Sequence, residues 1–458
     1  MKRPEIMAPA GSFESLQAAI HAGCDSVYFG VQHLNMRARA ANNFSLDDLP
    51  EVATICKKAK IKSYITLNTL LYQHDLTLMH KIVDAAKQSG ITAVIIQDVA
   101  AMMYAREVGM PLQASTQLSI SNYEAVKFYS QFADTIVLAR ELDLAMIKNI
   151  CKKIEEEQLK GPSGQLIKIE VFVHGALCVA QSGRCQMSLI SNNTSAQRGA
   201  CLQECRKKYR IIDEENGNEL TVNDGYVLSP KDLCTLPFLD KLVDAGIDVF
   251  KIEGRGRSPE YVDIVVKTYA AAVAAIMDKT FTPEKVSTWM DQLKTVYNRG
   301  FSDGYFLGKL LPDWAASSGS QATEEKEHLG VVTHYFPKAK VAEIKIQAGA
   351  LKIGDQLIIT GTTTGIIRTT VTTMLKDEIA VDIANKKDTI TIPLAEVVRD
   401  NDKVYLVKTL ARGKGGKSNI FGKTVSAAMP VFSMRHKPGQ GMRPMAKSIG
   451  LRGLPKVI

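Results

Sequence analysis

Residues Lys62 to Asp98 read KSYITLNTLLYQHDLTLMHKIVDAAKQSGITAVIIQD, and the fold turns on this stretch. A short apolar run, Lys62–Asn68, predicts a strand. An amphipathic pattern over Leu76–Ser89 predicts a helix, and a second apolar run follows at Ala93–Asp98. Strands this brief and this apolar belong where crossover helices bury both faces of a parallel sheet.

The same unit recurs on either side. Further strands are predicted at Glu5–Ala10, Ser26–Gly30, Pro111–Gln117, Thr135–Arg140, Ile167–Gly175 and Val249–Gly254. Helical patterns lie between most of them, at Ser12–Ala22, Leu46–Lys60, Asn122–Phe132 and Leu142–Gln158. Eight strand–helix units in about 280 residues predict an α/β fold of the TIM-type (β/α)8 class, with a doubly wound open sheet as the alternative. The expected catalytic barrel covers residues 1–311. Its seventh unit is abnormal, because an insertion at 176–248 separates two strands that an ordinary crossover would join. That insertion carries Cys178, Cys185, Cys201, Cys205 and Cys234, five of the eight cysteines. Insertions at the C-terminal ends of barrel strands are where such folds carry chemistry.

Residues 312–326 read as a polar linker. Beyond it the pattern changes to short alternating strands, so 327–410 is expected to form a small C-terminal β-barrel. Within it Leu351–Leu357 (LKIGDQL) resembles a turn-and-strand motif in the second domain of translational GTPases.

The 458 residues carry a net charge of +9, unevenly placed. Residues 411–458 hold ten Lys or Arg and no Asp or Glu, so the rest of the chain is nearly neutral. A basic Gly- and Pro-containing tail suits a polyanion such as RNA, or is simply a solvated tail. No apolar run approaches the roughly 20 residues that cross a bilayer. Met1–Glu5 has the charge of a signal peptide without the apolar stretch that should follow, so the cytoplasm is the expected compartment. There thiols stay reduced, and clustered cysteines point to metal rather than to disulfides. The spacing Cys178-x6-Cys185-x15-Cys201-x3-Cys205-x28-Cys234 contains no CxxC hook for zinc. It fits an iron–sulfur cluster gathered from several loop segments, or small buried residues used for packing. Packing is the expected role of Cys24, Cys56 and Cys151.

The segments EVFVHGALC (170–178) and GRCQMS (183–188) resemble the signature of the collagenase-like peptidase family U32. QRGACLQECRKKY (197–209), SPKDLC (229–234), APAG (8–11) and KIEGR (251–255) also resemble that family. The resemblance implies RNA or quinone-precursor hydroxylation on a 4Fe–4S cluster with Cys178, Cys185, Cys201 and Cys234 as ligands, leaving Cys205 to substitute or support. The layout of one barrel and one small β domain implies the tRNA-acting branch. Its expected reaction is formation of 5-hydroxyuridine at the wobble position, with prephenate as co-substrate, the tRNA anticodon loop as partner, and iron–sulfur assembly machinery to load the cluster.

The older family name implies a peptidase, and a non-catalytic RNA-binding iron–sulfur protein is a third reading. No His-Glu-x-x-His and no Gly-x-Ser-x-Gly occurs, although Cys178 near His174 can be drawn as a thiol–imidazole pair.

Strand C-termini converge at a barrel mouth. This places Asn68, Gln97, Asp98, Ser115, Gln117, Arg140, Glu141, His174, Lys251, Glu253 and Arg255 in or near the site. His174, Glu253 and Arg140 are the catalytic candidates, His174 for proton transfer. Lys251, Arg255, Arg37 and Gln117 are the substrate-binding candidates, with guanidinium forks suited to the carboxylates of prephenate. Glu253 and Arg255 could instead neutralise each other, and His174 could be a satisfied buried histidine.

Overall fold

Eight parallel strands close on themselves. They are β1 (Glu5–Pro9), β2 (Ser26–Gly30), β3 (Lys62–Leu67), β4 (Ala93–Ile96), β5 (Leu112–Ala114), β6 (Thr135–Val137), β7 (Lys168–Gly175) and β8 (Val249–Ile252). Each pairs with the next, and β8 pairs with both β7 and β1, so the sheet has no free edge and forms a TIM-type barrel rather than an open sheet. This computed structural model describes residues 2–410 apart from 40–41, 221–224, 309–312 and 318. The basic tail expected at 411–458 lies outside the described residues.

The crossover helices form where capping residues and apolar stripes coincide. The helix α1 (Phe13–His21) starts after Ser12, whose hydroxyl accepts from the Ser15 amide at 3.3 Å. The helices α2 (Leu49–Lys58), α3 (Leu76–Ser89), α4 (Val99–Glu107), α5 (Tyr123–Tyr129) and α6 (Leu144–Glu156) follow. Asp98, Asn122 and Asp143 cap three of them in the same way. Their buried stripes, such as Met79, Ile82, Val83 and Ala86 of α3, pack on the strands in one continuous core.

Several predicted strands run past the ladder at the C-terminal end: Asn68, Gln97, Ser115 to Gln117, Arg140 and Glu253 all lie beyond the last paired residues. Of these polar side chains, all but Gln97 line the mouth.

The insertion contains α7 (Met187–Asn192), short 3-10 turns and α8 (Leu239–Asp244). Its segment Asp232–Cys234 pairs antiparallel with the end of β7, setting Cys234 opposite His174. Two helices, α9 (Pro259–Met277) and α10 (Pro283–Thr295), then cover the outside of that wall.

The C-terminal region is an eight-stranded antiparallel sheet built on β9 (Glu324–Phe336), β10 (Val341–Ile346), β11 (Gln356–Gly361), β12 (Gly365–Thr370), β13 (Thr389–Pro393) and β14 (Lys403–Thr409), with two two-residue strands at one edge. It wraps a separate core of residues such as Leu329, Ile344, Leu357 and Val404. The region expected to form a small β-barrel is this antiparallel sheet, whose two edge strands are not paired with each other among the described residues. The Leu351–Leu357 motif forms a strand end, a turn with Gly354 at φ +91°, and the start of β11. Ile358 and Ile366 pack on Ala18 of α1, and Lys326 pairs with Glu260 of α9 at 2.9 Å, which docks the sheet against the barrel.

Candidate functional site

The strand ends and the insertion enclose one cavity of about 190 Å³. Arg37, Gln117, Arg140, Lys251, Glu253 and Arg255 line it, as do Cys178, Cys185, Cys201 and Cys205. Asn68 and Ser115 also face it, whereas Gln97, Asp98 and Glu141 do not. Asp98 is occupied in capping α4 and in accepting from the Leu71 amide at 3.0 Å.

The charge in this cavity is lopsided. Arg37 donates to Glu253 through Nε at 3.1 Å and through Nη2 in a shorter contact. Burial alone would raise the Glu253 carboxyl, but Arg37, Arg140 and Arg257 hold it down to about 2. Glu253 raises Arg37 in turn. Lys251 pairs with Glu170 at 2.7 Å, both side chains being almost wholly buried. Arg255, 5% exposed, donates among the described residues to neutral acceptors, Asn35 Oδ1 at 3.1 Å and Thr66 Oγ1 at 2.9 Å. Glu253 and Arg255 therefore do not neutralise each other as a pair; Arg37 takes the carboxylate. Burial lowers Arg255 to about 10, so it remains a cation near neutral pH.

Arg140 donates to the Ala176 carbonyl at 2.8 Å and stacks over Phe172 at 3.8 Å, while its Nε has no partner. Among the described residues no carboxylate forms an ion pair with Arg255 or Arg140. Uncompensated guanidinium charge in a concave site favours an anionic ligand.

The local sequence makes this arrangement possible. A Cβ on Gly30 would fall 2.3 Å from the Arg255 Nη1, so β2 must end in glycine for that guanidinium to lie across it. Gly199, at φ +79°, lets the insertion approach the loop after β2, where a Cβ would meet the Asn35 carbonyl at 2.1 Å. The insertion is further fixed by Arg198, which pairs with Asp75 and stacks over Tyr72 at 4.3 Å. The Gln117 amide donates to Ser182 at 3.0 Å.

Four thiols border the cavity. Burial is the main cause that raises the Cys205 thiol to about 11, with Arg206 opposing the rise and Cys178, Cys201 and Cys185 adding to it. Arg206 ties their loops together, donating to the Leu177 carbonyl at 2.7 Å, the Pro230 carbonyl at 2.5 Å and the Ser229 hydroxyl at 3.0 Å. Among the described residues no three His, Cys, Asp or Glu side chains are set to hold a single metal ion. Four thiols with no imidazole among them are donors that an iron–sulfur cluster takes, and that a structural zinc ion takes as well.

Two expected site residues lie elsewhere. Cys234 faces the helices outside the barrel wall, with its sulfur 3.8 Å from both the Met290 sulfur and the Tyr269 hydroxyl. The thiol that joins Cys178, Cys185 and Cys201 at the cavity is Cys205. His174 is 2% exposed among the rings of Tyr261, Tyr269 and Phe301, and its Nδ1 lies 3.3 Å from the Tyr269 hydroxyl. The cause is a register slip between β7 and β8: Phe172 pairs with Lys251, yet His174 pairs with Ile252. The extra residue breaks strict alternation and aims His174 at α9 instead of the cavity. Burial and Arg257 push its pKa down to about 3, which keeps the ring neutral.

Sequence reading passed over Tyr28, Arg257, Arg206 and Arg299, all of which line the cavity. For Arg257 the signal was present, since it lies two residues after Arg255 beyond the same strand. Arg206 and Arg299 come from distant segments that only the fold unites.

The profile of Peptidase family U32 matches residues 11–315. A Porphyromonas gingivalis protein named collagenase is 50% identical over 401 residues, 88% of this chain and 97% of that protein. A tRNA hydroxylation protein of Bacillus subtilis is 28% identical over 425 residues, 90% of this chain and 96% of that protein. The 23S rRNA 5-hydroxycytidine synthase of Escherichia coli is 33% identical over 324 residues, 69% of this chain and 47% of that longer protein. The profile match takes in most of the barrel and its cysteine-bearing insertion, and the chain belongs to peptidase family U32.

Proposed function

We propose that this protein hydroxylates RNA, converting the wobble uridine of tRNA to 5-hydroxyuridine in a prephenate-dependent, iron–sulfur-dependent reaction in the cytoplasm. The observation that carries the reading is the meeting of four thiols with unpaired guanidinium charge at one barrel mouth. Cys178, Cys185, Cys201 and Cys205 would hold a 4Fe–4S cluster, delivered by iron–sulfur assembly machinery. When bound, such a cluster supplies electron transfer or an iron able to take an oxygen donor.

The chain's own residues do the rest. Arg255 and Arg140 anchor the carboxylates of the co-substrate, as planar forks with free donors do. The Arg37–Glu253 pair keeps a carboxylate ionised beside the reacting groups. A base ring reaches this depth only when unstacked, which an anticodon loop offers at small cost. Relatives named for tRNA and rRNA hydroxylation support RNA as the substrate class.

The name of the 50% identical relative favours a second reading, collagen-cleaving peptidase. Against it, no imidazole lines the cavity among the described residues, so Cys178 lacks the base that a thiol nucleophile needs. The test is nucleoside mass spectrometry of total tRNA from a strain lacking the gene, complemented by wild type or Cys201→Ala. Loss of 5-hydroxyuridine-derived nucleosides, restored by the wild type alone, is the expected result. Unchanged tRNA in the deletion strain, with no second pathway acting, would overturn the assignment.

A further inference from the structure

We propose that Lys251 is a covalent site for an α-keto acid, forming a Schiff base with the keto carbon of a ligand whose carboxylate is held by Arg255 or Arg140. The inference rests on the reading that a small carboxylate co-substrate enters this cavity, and adds what the chain does to it.

The geometry points there in three ways. The Lys251 ammonium lines the same cavity as Arg140 and Arg255; its Nζ is 4.5 Å from the centre of the Tyr28 ring, over which Arg255 lies at 5.9 Å, and 5.5 Å from that of Phe172, over which Arg140 lies at 3.8 Å. A carboxylate on either guanidinium brings the adjacent carbonyl of an α-keto acid toward that nitrogen, so the cavity offers both groups such a ligand needs. Glu170, the partner of Lys251 at 2.7 Å, uses one oxygen for the pair and leaves Oε2 without any partner. A purely structural buried pair is stabilising only when its remaining lone pairs are satisfied, and this one is not.

Burial lowers Lys251, Arg255 and Arg140 add to that lowering, and burial raises Glu170. Both shifts favour the neutral amine beside a protonated carboxyl, the state in which a lysine attacks carbonyls.

The step balances without an outside reagent. The Lys251 lone pair adds to the keto carbon, and the carbonyl oxygen becomes the carbinolamine hydroxyl. Glu170 gives its proton to that hydroxyl, and water leaves. The products are a protonated imine, the Glu170 carboxylate as its counterion, and one water. No group is oxidised or reduced.

The test uses the cluster-loaded full chain, kept anaerobic, incubated with pyruvate or phenylpyruvate and cyanoborohydride, then digested for peptide mass spectrometry. Expected is one reduced pyruvyl group on Lys251, absent with lactate, which has no ketone. Lys251→Arg, shown folded by circular dichroism and by retained iron, should lose the adduct. Glu170→Gln should slow trapping by roughly a hundredfold, the usual scale for loss of a general acid. No adduct on Lys251 in folded protein, or labelling unchanged in Lys251→Arg, overturns the inference. An absent adduct with 5-hydroxyuridine lost in the deletion strain sinks this step and leaves hydroxylation standing. An adduct with unchanged tRNA supports the step and removes the hydroxylation assignment.

Discussion

Replacing Cys205 and Cys234 separately by alanine should give opposite results, and the structure sets both magnitudes. Cys234 is 3% exposed, its sulfur within 3.8 Å of Met290 and Tyr269, so truncation leaves a void smaller than a large side chain. Such a truncation costs about 1 to 2 kcal/mol and lowers the melting temperature by roughly 2 to 8 °C. Iron content should be unchanged. Cys205 is less buried and borders the cavity, so Cys205→Ala should leave the fold nearly as stable while removing one of four thiolates. Iron and acid-labile sulfide per chain should then fall by more than half, as they should for Cys178→Ala, Cys185→Ala and Cys201→Ala. The assay is anaerobic purification with iron, sulfide and visible absorption measured beside a thermal melt. Iron lost on Cys234→Ala and kept on Cys205→Ala would refute the reasoning and return Cys234 to the ligand set.

Three further outcomes follow from the cavity. Arg255→Met should leave stability unchanged or slightly raised, because it replaces a buried charge lacking a carboxylate partner, while binding of α-keto acids measured by calorimetry falls by about tenfold or more. Gly30→Ala should destabilise by about 1 to 3 kcal/mol and displace the Arg255 guanidinium, with the same loss of ligand binding as a second readout. For Glu253 the folded pKa of about 2 lies below the ordinary 4.5, so its stabilisation is complete above the ordinary range and is lost as pH falls toward 2. Discounted for the partly exposed Arg37, this is about 2 to 3 kcal/mol. Unfolding free energies of wild type and Glu253→Gln should differ by that amount at pH 6, with the gap narrowing below the ordinary carboxylate range and closing only below about pH 2, and a gap that stays constant with pH would contradict the pairing.

The barrel was legible because its period is redundant: eight apolar runs and their capped helices each repeat the same instruction, and one misplaced boundary changes nothing. Its strand ends were read too long for a physical reason. Residues such as Asn68 and Ser115 follow directly on their strands but leave the ladder, and Arg140 already lies in a turn; hydrogen-bond registry cannot be read from composition. The C-terminal sheet was legible as alternating strands, whereas closure depends on pairing between edge strands, which the described residues do not show.

The site was legible to the extent that it depends on position along a strand, and obscure where it depends on facing. Arg140, Lys251, Glu253 and Arg255 reach the cavity because they sit at strand ends. His174 occupies an equivalent position, yet one inserted residue at Val173 turns it through the wall of the barrel and takes the opposed Cys234 with it. Both residues then serve the packing of α9 and α10. Cys205, passed over in favour of Cys234, reaches the cavity because Arg206 fastens its turn to the carbonyls of Leu177 and Pro230. The wall thus divides the cysteines of the insertion by chemistry. The outer thiol, that of Cys234, is buried against Met290 and Tyr269, while four on the inner side line one cavity with several guanidinium groups. On the proposed reading the inner four hold the cluster, and the anion that works with it meets Arg140 and Arg255 in the same cavity.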